Sequence, residues 1–239
     1  MAGFINKYRE ALLDILFPPI CLICGRVLGT ENKNSAICSN CLNLIPIAYT
    51  LTCPECRARL AENKKICHRK AGYRLAAASN YENEKLKRLL WLLKYQKKTV
   101  AAEPIGEILR RHIKNLGINF SGFIIIPIPL HQSRERERGF NQSFLIAQSL
   151  SRRIGLEIKS SLLRRIKNTP PQAEARNFET RAENIKGCFI ATHPETAKGL
   201  NILLLDDVFT SGATIGEAVK TLKAAGAKRV VALIAAKAG

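Results

Sequence analysis

Apolar and polar residues follow two patterns along this chain, and the pattern changes near residue 75. Before that point turn residues are frequent and periodicity is weak. After it, apolar residues recur every three or four positions, as on one face of a helix, over 82–98 and 102–117. Gly117 stands where a helix C-cap is common. Four leucines share a face of the first predicted helix: Leu86, Leu89, Leu90 and Leu93.

Continuous apolar runs predict strands that are buried on both faces of a parallel sheet. They cover 123–130, 201–208 and 229–236, and two weaker strands are expected around Leu162 and Phe189. Helices are predicted between them over 141–154 and 214–225. This order predicts an α/β fold with an open, mainly parallel sheet and flanking helices.

The length and composition fit one medium domain and a small module. The chain has 239 residues, of which 46% are apolar, enough for a core. We expect the module over 1–75 and the α/β domain over 76–239. The longest apolar run near the start is interrupted by Asp14 and by two prolines. No membrane span and no signal peptide are therefore predicted.

The charge of the chain is strongly basic. Its 38 Lys and Arg residues outnumber 19 Asp and Glu residues, which gives a formal net charge of +19. Such an excess favours polyanionic partners, such as nucleic acid or phosphorylated ligands. The basic residues form no block, so a merely solvated basic surface is an equal alternative.

Four of the eight cysteines form two pairs with two residues between the members: Cys21 with Cys24, and Cys38 with Cys41. Two such turns present four thiolates, the tetrahedral sulfur shell that zinc prefers. With no signal peptide predicted, this spacing indicates zinc in a protein of the reducing cytoplasm rather than disulfides.

A second set begins with Cys53, Cys56 and Cys67, but Lys70 stands where its fourth cysteine would fall. His68 is an alternative fourth ligand. Neighbouring residues rarely reach one ion with good geometry, so the sequence favours one complete zinc site over two. Redox-active or buried thiols are the alternative for both sets.

The segment LLLDDVFTSGATI, residues 203–215, runs from a strand through two aspartates into a loop of small residues. Ligands bind beyond the carboxyl ends of parallel strands, and a loop that leads into a helix offers backbone N–H groups to an anion. The residues predicted to cradle a phosphate are Thr210, Ser211, Gly212, Ala213 and Thr214. Asp206 and Asp207 are expected to bind sugar hydroxyls or a hydrated Mg²⁺. A sugar phosphate fits both groups.

At these residues the chain resembles the type I phosphoribosyltransferases, whose signature is an apolar strand, two acidic residues and a small-residue loop. Here it reads LLLDDVFTSGAT, with Ser211 where Thr is more usual. The resemblance implies the type I phosphoribosyltransferase fold, with phosphoribosyl pyrophosphate and Mg²⁺ as ligands. The loop would hold the 5-phosphate, and Asp206 and Asp207 would face the ribose.

Further stretches are similar to the competence protein F family, also called ComFC. They are the cysteine pairs, IPIPLHQSRERERGFNQSFLIAQSL, LLRRIKNTPPQ and RAENIKGCF, in this order from about residue 17 onward. The resemblance implies an N-terminal zinc-finger-like module, a phosphoribosyltransferase fold and a link to the uptake of transforming DNA in bacteria. Family members often carry two full sets of cysteine pairs, so Lys70 is a departure.

The turn after the strand 123–130 carries arginines toward the ligand side of the sheet. Arg134, Arg136 and Arg138, with Gly139 and the following helix start, are expected to bind pyrophosphate. The alternative is an exposed loop in which they pair with neighbouring glutamates. The stretch 164–184 lies where this fold usually carries a mobile hood. Its candidate residues, each with a solvated role as the equal alternative, are Arg165, Gln172, Arg176 and Arg181.

Three functions are consistent with these features. The leading expectation is a competence-associated protein that binds phosphoribosyl pyrophosphate and single-stranded DNA, together with partner proteins of DNA uptake. The alternatives are a salvage transferase for a free base and a non-catalytic adaptor that senses the nucleotide precursor. If turnover occurs, magnesium pyrophosphate leaves C1 of the ribose, and catalysis is electrostatic and positional.

The expected DNA surface lies on the helix over 82–98, where Trp91 and Tyr95 are one turn apart. Bases can stack on such rings, and the basic residues beside them are Arg88, Lys94, Lys97 and Lys98. The competing expectation, which is slightly favoured, places Trp91 in the core between the zinc module and the sheet.

Overall fold

The structure is a computed structural model of the chain, and it describes residues 16–29, 33, 35–60, 67–169 and 185–238. Its strands are β1 (Leu51–Thr52), β2 (Arg59–Leu60), β3 (Arg74–Asn80), β4 (Phe123–Pro127), β5 (Leu163–Arg165), β6 (Phe189–Ala191), β7 (Asn201–Phe209) and β8 (Arg229–Lys237). Its α-helices are α1 (Ser39–Asn43), α2 (Glu84–Tyr95), α3 (Ala102–Leu116), α4 (Gln132–Arg138), α5 (Gln142–Ile154), α6 (Pro194–Ala197) and α7 (Ala213–Ala224).

Six strands form one sheet in the order β2-β1-β3-β8-β7-β4. The strands β3, β8, β7 and β4 run parallel, with β4 at one edge, while β1 and β2 pair antiparallel toward the other edge. The predicted α/β fold with a mainly parallel sheet is confirmed. The two weak strands were correctly expected, and they form a separate antiparallel pair, β5 with β6.

Two helices, α3 and α5, end where the sequence predicts, whereas α2 ends at Tyr95, before the predicted residue 98. Gly117 and Gly155 follow α3 and α5 in the left-handed conformation, at φ 63° and 72°, which glycine adopts without steric cost. Asn141 caps α5, since its side chain accepts a hydrogen bond from the backbone N–H of Ser143 at 2.9 Å. The expectation of an irregular turn after β4 was wrong for 132–138, which forms the helix α4.

Hydrophobic cores lie on both faces of the sheet, because successive strand residues point to opposite sides. In β7, Leu203 and Leu205 belong to the core that packs against α2, α3 and α5. Ile202 and Leu204 belong to the other core, which packs against α7 and the β5-β6 pair. The strands between them are almost fully buried, as their unbroken apolar runs predict.

The N-terminal segment shares both the sheet and a core with the rest of the chain. The hairpin β1-β2 extends the sheet beside β3, and Cys41, Leu42 and Ile45 pack in the same core as α2 and α3. The division into domains near residue 75 stays a prediction. In the described part of the chain, no helix has the length and apolar character needed to cross a membrane.

Candidate functional site

The loop after β7 brings small residues to the start of α7. Gly212 is the residue before the helix and has φ 82°, a left-handed conformation that favours glycine. A Cβ atom on Gly212 would lie 2.6 Å from Cζ of Phe209. The side chain of Ser211 accepts a hydrogen bond from the N–H of Ala213 at 3.4 Å. The loop therefore reaches the N-terminus of a 12-residue helix, where the helix dipole favours an anion such as phosphate.

The two aspartates of β7 have different surroundings. Asp206 is partly exposed, and its Oδ1 accepts hydrogen bonds from Ser143 Oγ and from the N–H of Asp207, both at 2.9 Å. Asp207 is buried, with 4% of its surface exposed. Its Oδ2 lies 2.8 Å from Nζ of Lys94 in α2, so the two form an ion pair.

These contacts shift the protonation equilibria of the site. Burial, with the adjacent Asp207 carboxylate, raises the pKa of Asp206 to about 7, although Lys94 and the hydrogen bonds oppose this. For Lys94, burial favours the neutral amine, but Asp207 and Asp206 outweigh it and the pKa is raised. Lys94 is therefore charged at neutral pH.

The carboxylates fit a magnesium ion chemically. Mg²⁺ is usually bound in proteins by one or two carboxylates together with waters and the phosphates of a substrate. Asp206 is open enough to take part, whereas Asp207 already neutralises Lys94. Asp206 and Asp207 would thus hold the ion only jointly with a bound ligand.

A cleft of about 760 Å³ opens between α2 and α4; Lys94 lines it, whereas residues 206–214 do not. Its basic lining residues are Lys94, Lys97, Arg134 and Arg138. Nη2 of Arg134 donates to the carbonyl of Thr169 at 2.7 Å, and Nη1 of Arg138 donates to Oε1 of Gln142 at 2.5 Å. These bonds hold two arginines toward one cleft, instead of pairing them with the glutamates of α4. Arg136 is exposed, and Gly139 ends α4 at φ 88°.

Of the residues predicted to form a hood, Arg165 is described and is buried. Its guanidinium carbon lies 5.7 Å from the centre of the Phe189 ring, and it donates to Oγ1 of Thr169. Burial lowers its pKa. Gln172, Arg176 and Arg181 lie outside the described residues.

The first cysteine set is brought together in space. The four Sγ atoms of Cys21, Cys24, Cys38 and Cys41 lie within 4.8 Å of one another. Burial disfavours the thiolate of Cys21, but backbone N–H groups of Cys24, Cys38 and Ile23 lower its pKa to about 6. Burial and the other sulfurs raise the pKa of Cys41 to about 12. Four sulfurs this close fit a tetrahedral Zn²⁺, whose charge stabilises all of them as thiolates.

The second set is also complete. Ligand atoms of Cys53, Cys56, Cys67 and His68 lie within 4.8 Å of one another. Nδ1 of His68 is 3.4 Å from Sγ of its neighbour Cys67 and 3.5 Å from Sγ of Cys53. The expectation that adjacent residues rarely reach one position does not hold here, because the chain bends at 67–68 and brings the ligand atoms of both exposed residues together. His68 thus lies where it could serve as the fourth ligand that Lys70 does not provide.

Comparisons with known proteins agree with this architecture. Residues 12–71 match the double zinc ribbon domain, and residues 141–239 match the phosphoribosyl transferase domain. The chain is 37% identical over 100 residues to competence protein ComFC of Bacillus subtilis, which covers 42% of this chain and 38% of that protein. Competence protein F of Haemophilus influenzae is 33% identical over 107 residues, covering 44% of this chain and 46% of that protein.

Both competence proteins are thus similar to this chain over less than half of its length. The chain also resembles the DNA utilization protein YhgH of Salmonella typhimurium along most of its length, with 28% identity over 222 residues, 89% of this chain and 94% of that protein. The zinc ribbon match includes both cysteine sets, and the transferase match includes Asp206, Asp207 and the loop. Lys94 and α4 precede the matched transferase segment.

The sequence analysis missed one residue of the site, Ser143, and misplaced another, Lys94. Ser143 and Lys94 bond to the aspartates, but Lys94 was expected on the DNA surface. That expectation was wrong, because the ion pair with Asp207 turns Lys94 inward. The favoured core position of Trp91 was wrong as well, since 45% of the Trp91 surface is exposed. The Asn-capped start of α5, two residues from Ser143, was a usable signal for that serine.

Proposed function

We propose that this protein binds phosphoribosyl pyrophosphate with Mg²⁺ and single-stranded DNA, and acts in the uptake or processing of transforming DNA. The observation that carries the first part is the pair Asp206–Asp207, placed directly before a loop at a helix N-terminus. Such an arrangement suits a ligand with both sugar hydroxyls and a phosphate.

Different residues of the site would bind different parts of phosphoribosyl pyrophosphate. Backbone N–H groups of 210–214 would bind the 5-phosphate, and Asp206 and Asp207 would accept hydrogen bonds from the ribose hydroxyls. Arg134 and Arg138 would hold the pyrophosphate and stabilise its charge as it leaves. Mg²⁺ supplies further charge neutralisation when bound. Gln172, Arg176 and Arg181 stay predicted residues of the hood that excludes water, whereas Arg165 is fixed against Phe189.

Calorimetry with phosphoribosyl pyrophosphate tests this part. Wild-type protein should bind it more tightly with Mg²⁺ than with EDTA, and the variant Asp206→Asn with Asp207→Asn should lose this Mg²⁺-dependent gain. Asparagine keeps the shape of each side chain, which matters because Asp207 is buried. Glu195→Gln, at an exposed carboxylate, is the matched control. An unchanged magnesium dependence in the double variant would contradict the proposal.

A second assay measures the turnover of phosphoribosyl pyrophosphate with a panel of free bases. A salvage transferase should consume phosphoribosyl pyrophosphate with one of the bases, whereas a non-catalytic adaptor should not.

The cysteine sets support the zinc part of the proposal. Each offers four soft or borderline ligands at one point, and all eight cysteines of the chain are free of disulfides. We propose one structural Zn²⁺ at each set, and cytoplasmic localisation, where thiols stay reduced.

The DNA part rests on α2 and on the excess of positive charge. Trp91 and Tyr95 lie one turn apart and are 45% and 65% exposed, and Lys97 and Lys98 follow them at the exposed end of the helix. Exposed rings beside basic residues suit sequence-independent stacking on single strands. The names of the relatives, a DNA utilization protein and competence proteins, point the same way.

Anisotropy titration of a labelled oligonucleotide tests the DNA part. Trp91→Ala and Tyr95→Ala should each weaken binding by roughly 5- to 150-fold, since stacking contributes about 1 to 3 kcal/mol per base. Lys97→Glu with Lys98→Glu should weaken it further at low salt, and Lys114→Glu on the exposed side of α3 is the control. If the wild-type protein does not bind at low salt, any DNA role must pass through a partner protein.

A further inference from the structure

Lys94 occupies an unusual position for a lysine. It lies in the last turn of α2, and its Nζ reaches Oδ2 of Asp207 at 2.8 Å, with the two side chains only 21% and 5% exposed. The same lysine lines the cleft that Arg134 and Arg138 enter. The ammonium group is therefore placed between a carboxylate of the site and the space where an anionic ligand would bind.

Stability alone does not account for this ion pair. Removing two charges from water costs about as much as their attraction returns, and an apolar pair of similar size is often equally stable. The helix α2 already buries five leucines, so it does not need Lys94 to hold it on the sheet. The placement of the charge in the cleft points to a role toward the ligand.

We propose that Lys94 is the resident cation of this site and determines how it uses metal. Its ammonium group takes the place beside Asp207 where a divalent ion would otherwise bind, and it contributes directly to binding the ligand's phosphates. Two adjacent carboxylates without Lys94 would attract a divalent ion by themselves. Lys94 reduces the net negative charge of Asp206 and Asp207 by one. A divalent ion therefore binds there only together with the ligand, whose phosphates supply further negative charge.

This inference rests on the proposed ligand but is tested first without it. Binding of Mn²⁺, as a probe for Mg²⁺, is measured by electron paramagnetic resonance in the absence of phosphoribosyl pyrophosphate. Lys94→Met should bind Mn²⁺ about tenfold or more tightly than the wild type, because a cation that repels the ion is gone. Lys94→Arg should match the wild type, and so should Lys85→Met, which removes the same charge near the other end of α2. Equal Mn²⁺ affinity in Lys94→Met and the wild type would overturn the inference.

Calorimetry in EDTA gives the second measurement. Metal-free binding of phosphoribosyl pyrophosphate should weaken about tenfold or more in Lys94→Met and persist in Lys94→Arg. If Lys94→Met does not fold, Lys94→Gln decides: it keeps a polar side chain without the charge, so metal-free binding should weaken as well. Metal-free binding as tight as in the wild type in a folded Lys94→Gln would overturn the inference. If the wild type binds no phosphoribosyl pyrophosphate, the proposed function fails, while the Mn²⁺ result still decides the role of Lys94.

Discussion

Substitution of Gly212 by alanine tests how the phosphate loop is built. The sequence suggests that this glycine lets a phosphate approach the backbone. The structure adds two constraints that act without any ligand. Gly212 has φ 82°, and its added Cβ would lie 2.6 Å from Cζ and 3.0 Å from Cε2 of Phe209. Phe209 is 2% exposed and belongs to the core against α7, so its ring has little space to move.

The expected cost has two parts. A left-handed backbone costs a residue with a Cβ roughly 1 to 2 kcal/mol relative to glycine. Forcing an extra carbon against a buried ring costs about 1 to 3 kcal/mol. Gly212→Ala should therefore lower the free energy of unfolding by about 2 to 5 kcal/mol, and it should displace Phe209.

Gly155→Ala is the matched control. Gly155 has φ 72°, but its Cβ would meet nothing within 4 Å, so its substitution should cost only the backbone part, roughly 1 to 2 kcal/mol. Urea unfolding followed by circular dichroism, with zinc present throughout, measures both variants. In a Phe209→Leu background, Gly212→Ala should cost about 1 to 3 kcal/mol less than in the wild type, because the clashing ring atom is gone.

The contact with Phe209 is refuted if Gly212→Ala costs no more than Gly155→Ala, or if its cost is the same in the Phe209→Leu background. In either case, a loss of phosphoribosyl pyrophosphate binding in Gly212→Ala would have to come from direct obstruction of the phosphate. The comparison thus separates the packing role of Gly212 from its role toward the ligand.

Two further predictions concern metal content and pH. Purified protein should contain about two zinc ions per chain by atomic absorption, since each closed set of four ligands holds one. Cys21→Ser with Cys24→Ser should lose one ion and Cys53→Ser with Cys56→Ser the other; full zinc content in either variant would show that the altered set is not a site. Burial lowers the pKa of His112, whose Nδ1 lies 2.9 Å from the carbonyl of Ala48. The unfolded chain therefore binds this proton more readily, and the free energy of unfolding should fall as the pH drops below about 6.5. Urea titrations should show a smaller fall for His112→Gln, and an equal fall would assign the effect to other groups.

Local features of the sequence determined most of the elements. Apolar periods of three to four residues, unbroken apolar runs and glycine or asparagine caps depend on neighbouring residues, so they placed α2, α3, α5 and the strands β4, β7 and β8. The same holds for the loop at 210–214, whose residues are consecutive. The cysteine spacing identified the first set, since each of its two pairs is formed within one turn.

Tertiary structure decided which side chains meet and which face water. The run LLWLL in α2 is apolar on every side of the helix. The spacing of its apolar residues therefore does not predict which side faces solvent, and the structure shows that Trp91 does. β3 is rich in alanine and becomes a strand because β8 and β1 pair with it from both sides. Lys94 and Asp207 are distant in the chain, and only the packing of α2 on β7 joins them. The four ligand atoms of the second set lie together because the chain bends at 67–68 and brings the side chains of Cys67 and His68 to one point. That bend depends on backbone angles, which the spacing of the cysteines does not encode.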